Sequence, residues 1–344
     1  MGVDAGAGAL TPRARDLDED DIRVRPGRGS RPRTRRRPAH EDAVEGFVAS
    51  VDRGRYGVLV GDRMVTAMRA RELGRRGVVV GDQVALAGDT SGAQGTLARV
   101  VRVAPRTTAL RRSADDTDPV ERVIVANADQ MIIVCSLADP PPRPRFIDRC
   151  LVAAYDAGLR PLLCLTKADL GSADELLHAY APLGIGHVVL GRPLTPARLA
   201  PLRQQLDGRT SVLIGQSGVG KSTLVNALIP DADRAVGTVS PVTGRGRHTS
   251  SSAVALALPT GGWIIDTPGL RGFGLGHIAP DRVVRAFTDL LPGTAACQPG
   301  CDHDQPDCAL DDWVRDQGGD PRLVARLDSL RRLLRSRDAA ETWS

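Results

Sequence analysis

The chain has 344 residues, 42% of them apolar, with a formal net charge of +5 and a pI near 9.1. That length predicts two or three domains with packed cores, which excludes a disordered or fibrous chain. No apolar run approaches the roughly 20 residues of a membrane span, and the polar, Arg-rich start lacks the apolar stretch of a secretory signal. The expectation is a cytoplasmic protein, with no membrane partner and with an acidic partner such as nucleic acid. Two lysines stand against 44 arginines. Where Arg replaces Lys wherever either would serve, the survivors Lys167 and Lys221 mark places that need a compact ammonium.

Residues 1–40 have no apolar periodicity, and Arg23 to Arg37 hold eight arginines and no acid. This predicts a disordered basic arm suited to a phosphate backbone. From 41 to 104 the texture changes to short alternating runs, Val44–Val51, Tyr56–Val60, Val78–Leu86 and Gly95–Val103, punctuated by Gly and Asp. The pattern predicts an OB-type antiparallel barrel of about five strands. Such barrels often bind RNA, and Phe47 and Tyr56 are the aromatic side chains on which bases could stack.

Arg106–Arg112 is a basic connector, and polar, acidic Ser113–Pro119 marks a domain boundary. An α/β domain is predicted over 113–280. Asp129–Leu137 reads as a strand, Phe146–Tyr155 as an amphipathic helix and Pro161–Leu165 as a buried strand, a rhythm that implies a parallel sheet. Thr166-Lys167-Ala168-Asp169 follows directly. It is similar to the N-K-x-D turn of guanine-nucleotide proteins, with Thr166 in place of Asn. In such a turn the aspartate accepts from guanine N1–H and the 2-amino group while the lysine stem lies along the base. His187–Leu190 is the next strand. Leu190-Gly191 after it departs from the Ser-Ala pair often found there. Arg198–Leu206 is a helix.

Thr210–Ile214 is a buried strand, and Gly215-Gln216-Ser217-Gly218-Val219-Gly220-Lys221-Ser222 follows it, reading G-x-x-x-x-G-K-[ST]. A helix over Thr223–Ile229 ends at Pro230. The glycines let backbone N–H groups converge on phosphate oxygens, and the helix N-terminus adds its positive end. Lys221 would reach the β/γ-phosphates, and the Ser222 hydroxyl would bind Mg²⁺. In the polar stretch Thr243–Ser251, Thr249, or alternatively Ser250, is the candidate switch residue for Mg²⁺ and γ-phosphate, and His248 could orient water. The strand Gly262–Ile265 delivers Asp266-Thr267-Pro268-Gly269. Asp266 would hold the Mg²⁺ shell and the Gly269 N–H would meet the γ-phosphate. Leu270 follows and no Gln lies nearby, so unaided hydrolysis should be slow.

The base-reading turn thus precedes the phosphate loop, the reverse of the usual order, which predicts a circularly permuted domain. The last predicted module covers 281–344. Its Cys297, Cys301, His303 and Cys308 supply four ligands for a tetrahedral structural Zn²⁺, leaving no open position for catalysis. Cys135, Cys150 and Cys164 read as inert core thiols. Helices over Asp311–Val314 and Leu323–Leu334 follow, the latter Arg-rich and suited to RNA. Two rival functions remain at this level: an ATPase or kinase unrelated to ribosomes, and an RNA-binding protein with a vestigial nucleotide site.

Residues 43–335 resemble the small ribosomal subunit biogenesis GTPase family (RsgA/YjeQ). The resemblance rests on the barrel, Ala126-Asn127-Ala128-Asp129-Gln130, Phe146-Ile147-Asp148-Arg149, Gln216–Val219, Gly246-Arg247-His248-Thr249, and the Cys/His cluster followed by Ala309-Leu310. It implies an OB barrel, a permuted GTPase domain and a zinc module. It also implies GTP hydrolysis stimulated by the 30S subunit during late maturation, at the decoding region. The expected partners are the 30S subunit with its 16S rRNA and GTP or GDP with Mg²⁺, and the expected state is a monomer. The departures are Thr166, the degenerate Leu190-Gly191 and a slightly shortened Cys/His spacing.

Overall fold

The barrel closes on itself through five strands. The computed structural model describes residues 40–73, 77–112, 122–230, 253–267, 275 and 278–338. β1 (Val44–Asp52), β2 (Arg55–Val60), β3 (Arg63–Arg69), β4 (Gln83–Gly88) and β5 (Ala98–Val103) pair in the order 1-2-3-5-4. β4 then returns to β1, with Val44 opposite Leu86 and Phe47 opposite Gln83. β3 and β5 run parallel and the other pairs antiparallel. Closure leaves no free edge along this ring. Val48, Val58, Val65, Ala67, Leu86 and Val100 fill it, each at most 1% exposed, and full burial of a Val or Leu side chain stabilises by about 1.5–3 kcal/mol.

Two expectations about this barrel are corrected. Val78–Leu86 is not one strand, because Gly81 takes φ 92° and the buried Asp82 carboxylate turns the backbone, accepting from Val79 N at 2.8 Å and from Arg106 Nε and Nη2 at 2.7 and 2.8 Å. Neither aromatic is a free stacking platform. Tyr56 is 6% exposed inside the barrel, and the Phe47 ring lies 4.8 Å from that of Trp263.

The connector also differs from expectation. β6 (Ala109–Arg112) and β7 (Arg122–Ala126) form an antiparallel ribbon, and the expected boundary at 113–119 between them lies outside the described residues. Asn127, at φ 53°, clamps this ribbon to the barrel. Its Oδ1 accepts from Thr107 N at 2.9 Å and its Nδ2 donates to Gly81 O at 2.9 Å.

Beyond the ribbon stands a second set of strands: β8 (Gln130–Ser136), β9 (Arg160–Thr166), β10 (Gly186–Leu190), β11 (Thr210–Ile214), β12 (Val254–Ala257) and β13 (Trp263–Asp266). Their spatial order is 10-9-8-11-13-12, and only β12 runs antiparallel to its neighbour here. The chain enters at the centre, steps outward to one edge, then returns to place β11 on the other side of β8. That reversal opens a crevice at the carboxyl ends of β8 and β11, where α/β sheets bind ligands. β8 is buried throughout and alternates with period two. Met131, Ile133 and Cys135 face α1 (Pro144–Asp156), while Ile132 and Val134 face α3 (Pro196–Leu206) and α4 (Lys221–Leu228). Cys135, Cys150 and Cys164 are buried as expected, and burial pushes the Cys164 thiol up to about 12. Between β9 and β10 lies α2 (Asp174–Tyr180). Ser50 of β1 pairs with Val254 of β12, which makes barrel and sheet one continuous surface of strands.

The C-terminal region adds α5 (Pro280–Val284), α6 (Leu291–Thr294), α7 (Ala309–Asp316) and α8 (Pro321–Asp338). Leu327, Leu330, Leu333 and Leu334 of α8 belong to the core that contains α1. Two buried residues of the Phe146–Arg149 motif hold this joint. Arg149 Nη1 donates to Ser336 O at 3.0 Å, and Asp148 pairs with Arg332 at 3.3 Å and accepts from Tyr180 Oη at 2.9 Å. Burial raises the Asp148 carboxyl pKa, with Arg332 and Tyr180 opposing it. Arg326, Arg331, Arg332 and Arg335 of α8 are thus paired with carboxylates of the same molecule. Arg326 pairs with Asp289, Arg331 with Asp311 and Arg335 with Asp304. The helix offers RNA less free positive charge than its composition implies. Among the described residues no helix is long and apolar enough to cross a membrane.

Candidate functional site: a phosphate loop facing a base-reading turn

Both nucleotide motifs leave carboxyl ends of the same parallel sheet. The phosphate loop, Gly215–Ser222, joins β11 to α4. Gly215 is required by space: a β-carbon there would stand 2.5 Å from Val134 O, inside any van der Waals contact. Gly220 is required by conformation, sitting at φ 94° immediately before α4. Gln216, Ser217, Gly218 and the Ser222 and Thr223 side chains lie at the surface of the loop, whereas Val219 is buried in the core beneath it. Lys221 is half-buried and arches back over the loop, donating to Gly215 O and, at 2.8 Å, to Gln216 O. Burial lowers its pKa, and the Asp266 carboxylate at the end of β13 pulls the other way.

Thr166, Lys167, Ala168 and Asp169 follow β9. The Thr166 hydroxyl donates to Val219 O at 2.7 Å, so the turn is tied directly to the phosphate loop. Ala168 N donates to Leu190 O at 3.1 Å. Asp169 is exposed, and its Oδ1 accepts from Arg192 N at 2.8 Å. That bond holds the carboxyl below its ordinary range and leaves the carboxylate further acceptor sites. The Leu190-Gly191 departure therefore lies beside Asp169, where a base-contacting segment was expected. A β-carbon on Gly191 would meet Asp169 N at 3.4 Å.

Thr267 Oγ1 donates to Leu213 O at 3.0 Å, which anchors the segment after Asp266 to the central strand. Gly269, His248, Thr249 and Ser250 lie outside the described residues. Sequence reasoning notes Gln130 only within a motif and gives it no role. Fully buried, it donates to Gln205 O and Ser211 Oγ at 2.8 Å and accepts from Arg160 at 2.7 Å, so it locks β8 to β11 at their amino ends, the end of the sheet away from the site. Its signal was a polar residue opening an otherwise apolar strand.

The second cluster lies in the C-terminal region. The ligand atoms of Cys297, Cys301, His303 and Cys308 all fall within 4.8 Å of one another. Cys297 Sγ is 3.6 Å from His303 Nδ1 and 3.9 Å from Cys308 Sγ. Bonds of about 2.0–2.3 Å to a tetrahedral ion require donor–donor edges of roughly 3.3–3.8 Å, so the set fits a metal. None of the three thiols is in a disulfide. His303 sits at φ 63°, with Nδ1 turned to the sulfurs and Nε2 3.4 Å from Asp281 Oδ1, the arrangement by which a carboxylate orients a ligating imidazole. Burial pushes the Cys308 thiol up to about 12. A bound cation would reverse that, because it binds the thiolate.

A Gly-rich loop between strand and helix, tied to a Thr-Lys-x-Asp turn on a sheet entered in permuted order, defines a P-loop nucleotide-binding protein of the rearranged kind. The profile described as RsgA GTPase matches residues 103–276, and the chain belongs to that family. Among curated proteins it is 43% identical to the small ribosomal subunit biogenesis GTPase RsgA of Pseudomonas putida over 228 residues, 64% of this chain and 65% of that protein. The relative of the same name from Pseudomonas aeruginosa is 41% identical over 64% of this chain and 66% of its own length. The match thus spans about 65% of the length of these relatives. Of solved structures, YjeQ from Thermotoga maritima aligns with a TM-score of 0.60 at 25% identity, over 85% of this chain and 99% of that one. YloQ, described as a circularly permuted GTPase, has the same fold, with a TM-score of 0.59 at 23% identity over 87% and 97%.

Proposed function

We propose that this protein is a GTPase that binds the immature 30S ribosomal subunit through 16S rRNA, hydrolyses GTP late in small-subunit maturation, and then leaves. One contact carries the reading. The 2.7 Å bond from Thr166 to Val219 joins the phosphate loop to the base-reading turn, so one nucleotide can touch both. Asp169 accepts from guanine, which adenine cannot satisfy because it lacks both donors. Lys221 would meet the β/γ-phosphates, and in the segments outside the described residues Gly269 N–H would meet the γ-phosphate and His248 could orient the attacking water. Ser222, Thr249 and Asp266 would hold Mg²⁺, which supplies charge neutralisation at the phosphates. The family and the relatives' shared name support the ribosomal partner. The Cys/His cluster would hold one structural Zn²⁺. The protein acts as a cytoplasmic monomer.

The test is turnover of GTP and of ATP, each with and without purified 30S subunits. We expect GTP hydrolysis that 30S accelerates, and negligible ATP use. Equal ATP use, or indifference to 30S, would overturn the proposal.

A further inference from the structure

The turn between β8 and α1 carries none of the motifs above, yet it stands against both halves of the nucleotide site. Ser136 ends β8 opposite Thr166 of β9 and is 1% exposed. Its hydroxyl donates to Pro140 O at 2.6 Å, folding the turn back on its own strand. Asp139 is left-handed, at φ 44°, and its carbonyl accepts the Lys167 ammonium. Lys167 is itself left-handed, at φ 58°. Such conformations are unfavourable for a non-glycine residue and persist where the surroundings enforce them. On its other side the turn packs on the phosphate loop, with Pro140 Cδ 3.5 Å from where a β-carbon on Gly218 would stand.

We propose that this β8–α1 turn is a third component of the purine-nucleotide site, in which Ser136 fixes the Asp139 carbonyl and, through it, the side chain of Lys167. The inference rests on the nucleotide reading of the site and adds to it a positioning residue outside every motif. An ammonium with no anchor leaves the lysine stem free among rotamers. An ammonium held by a fixed carbonyl extends the stem as a stiff aliphatic floor for a purine ring, so less order is lost on binding.

The test is a double-mutant cycle on GDP affinity, read by displacement of a fluorescent mant-GDP. Ser136→Ala should weaken GDP binding about fivefold, the effect of one buried hydrogen bond. In a Lys167→Ala background the same change should alter affinity less than twofold, because its target is gone. An equal loss in both backgrounds, or no loss in the first, overturns the positioning role. A purely structural defect would show that equal loss. Ser136→Cys, which keeps the volume but donates weakly, replaces the alanine variant if that one does not fold. Failure of the wild type to bind GDP would overturn the nucleotide reading itself, and this proposal with it.

Discussion

Lys221 shows how one side chain can be read twice. As a letter it completes a motif. As a body it lies over its own loop, on Gly215 and Gln216 carbonyls, with its charge balanced between burial and Asp266. The loop conformation is set by Gly215, Gly220 and the packing of Val219, not by the ammonium. Lys221→Ala should therefore cost at least about a hundredfold in GTP turnover while leaving circular dichroism and the melting temperature near wild type. Turnover close to wild type would remove the phosphate assignment. Thr166 teaches the opposite lesson. In sequence it is a departure from Asn, whereas in the fold its hydroxyl reaches Val219 O, a role that any side chain with a donor at that distance could fill.

Among the elements, α8 differs most from its sequence expectation. An Arg-rich amphipathic helix reads as a nucleic-acid face. Four of its arginines, Arg326, Arg331, Arg332 and Arg335, instead pair with Asp289, Asp311, Asp148 and Asp304, carboxylates scattered far along the chain. Arg331 is the central one. It makes a bidentate pair with Asp311 at 2.8 and 2.5 Å and donates to His303 O at 3.2 Å, tying α8 to α7 and to the Cys/His loop. Its side chain is 16% exposed, so the pair is partly shielded. Arg331→Ala should destabilise by about 1–2 kcal/mol, visible as a melting temperature lower by a few degrees. Arg315→Ala is the control. Arg315 and its partner Asp312 are 73% and 74% exposed, and no measurable change is expected there. Equal effects of the two substitutions would contradict this ranking.

At the scale of the whole molecule, the three predicted modules are not independent. One buried cluster runs from Ala49 and Val80 at the barrel, through α1, to Leu310 and Leu334. The Cys/His loop closes the far end of that cluster, so a metal there would brace the nucleotide domain as well as its own module. Purified protein should contain about one equivalent of zinc by elemental analysis, and chelation should lower the melting temperature by several degrees. Unchanged melting together with no zinc would end the metal assignment.

The sequence by itself determined the candidate site. The phosphate loop, the Thr-Lys-Ala-Asp turn, Asp266 and the Cys/His set are legible because each is a run of residue types at short spacing, and local geometry follows from local sequence. Thr210–Ile214 reads correctly for the same reason, as a short apolar run before a Gly-rich loop. Only the tertiary structure decided what depends on distant partners. β3 and β6 lack clear alternation and exist because β2 and β7 pair with them. Phe47 and Tyr56 are packed rather than free because Trp263 and the barrel interior cover them. The β8–α1 turn has no motif at all, and it matters because strand order sets it between two loops far apart in the chain. Hydrogen bonds and burial act through space, so their partners could not be read from spacing along the chain.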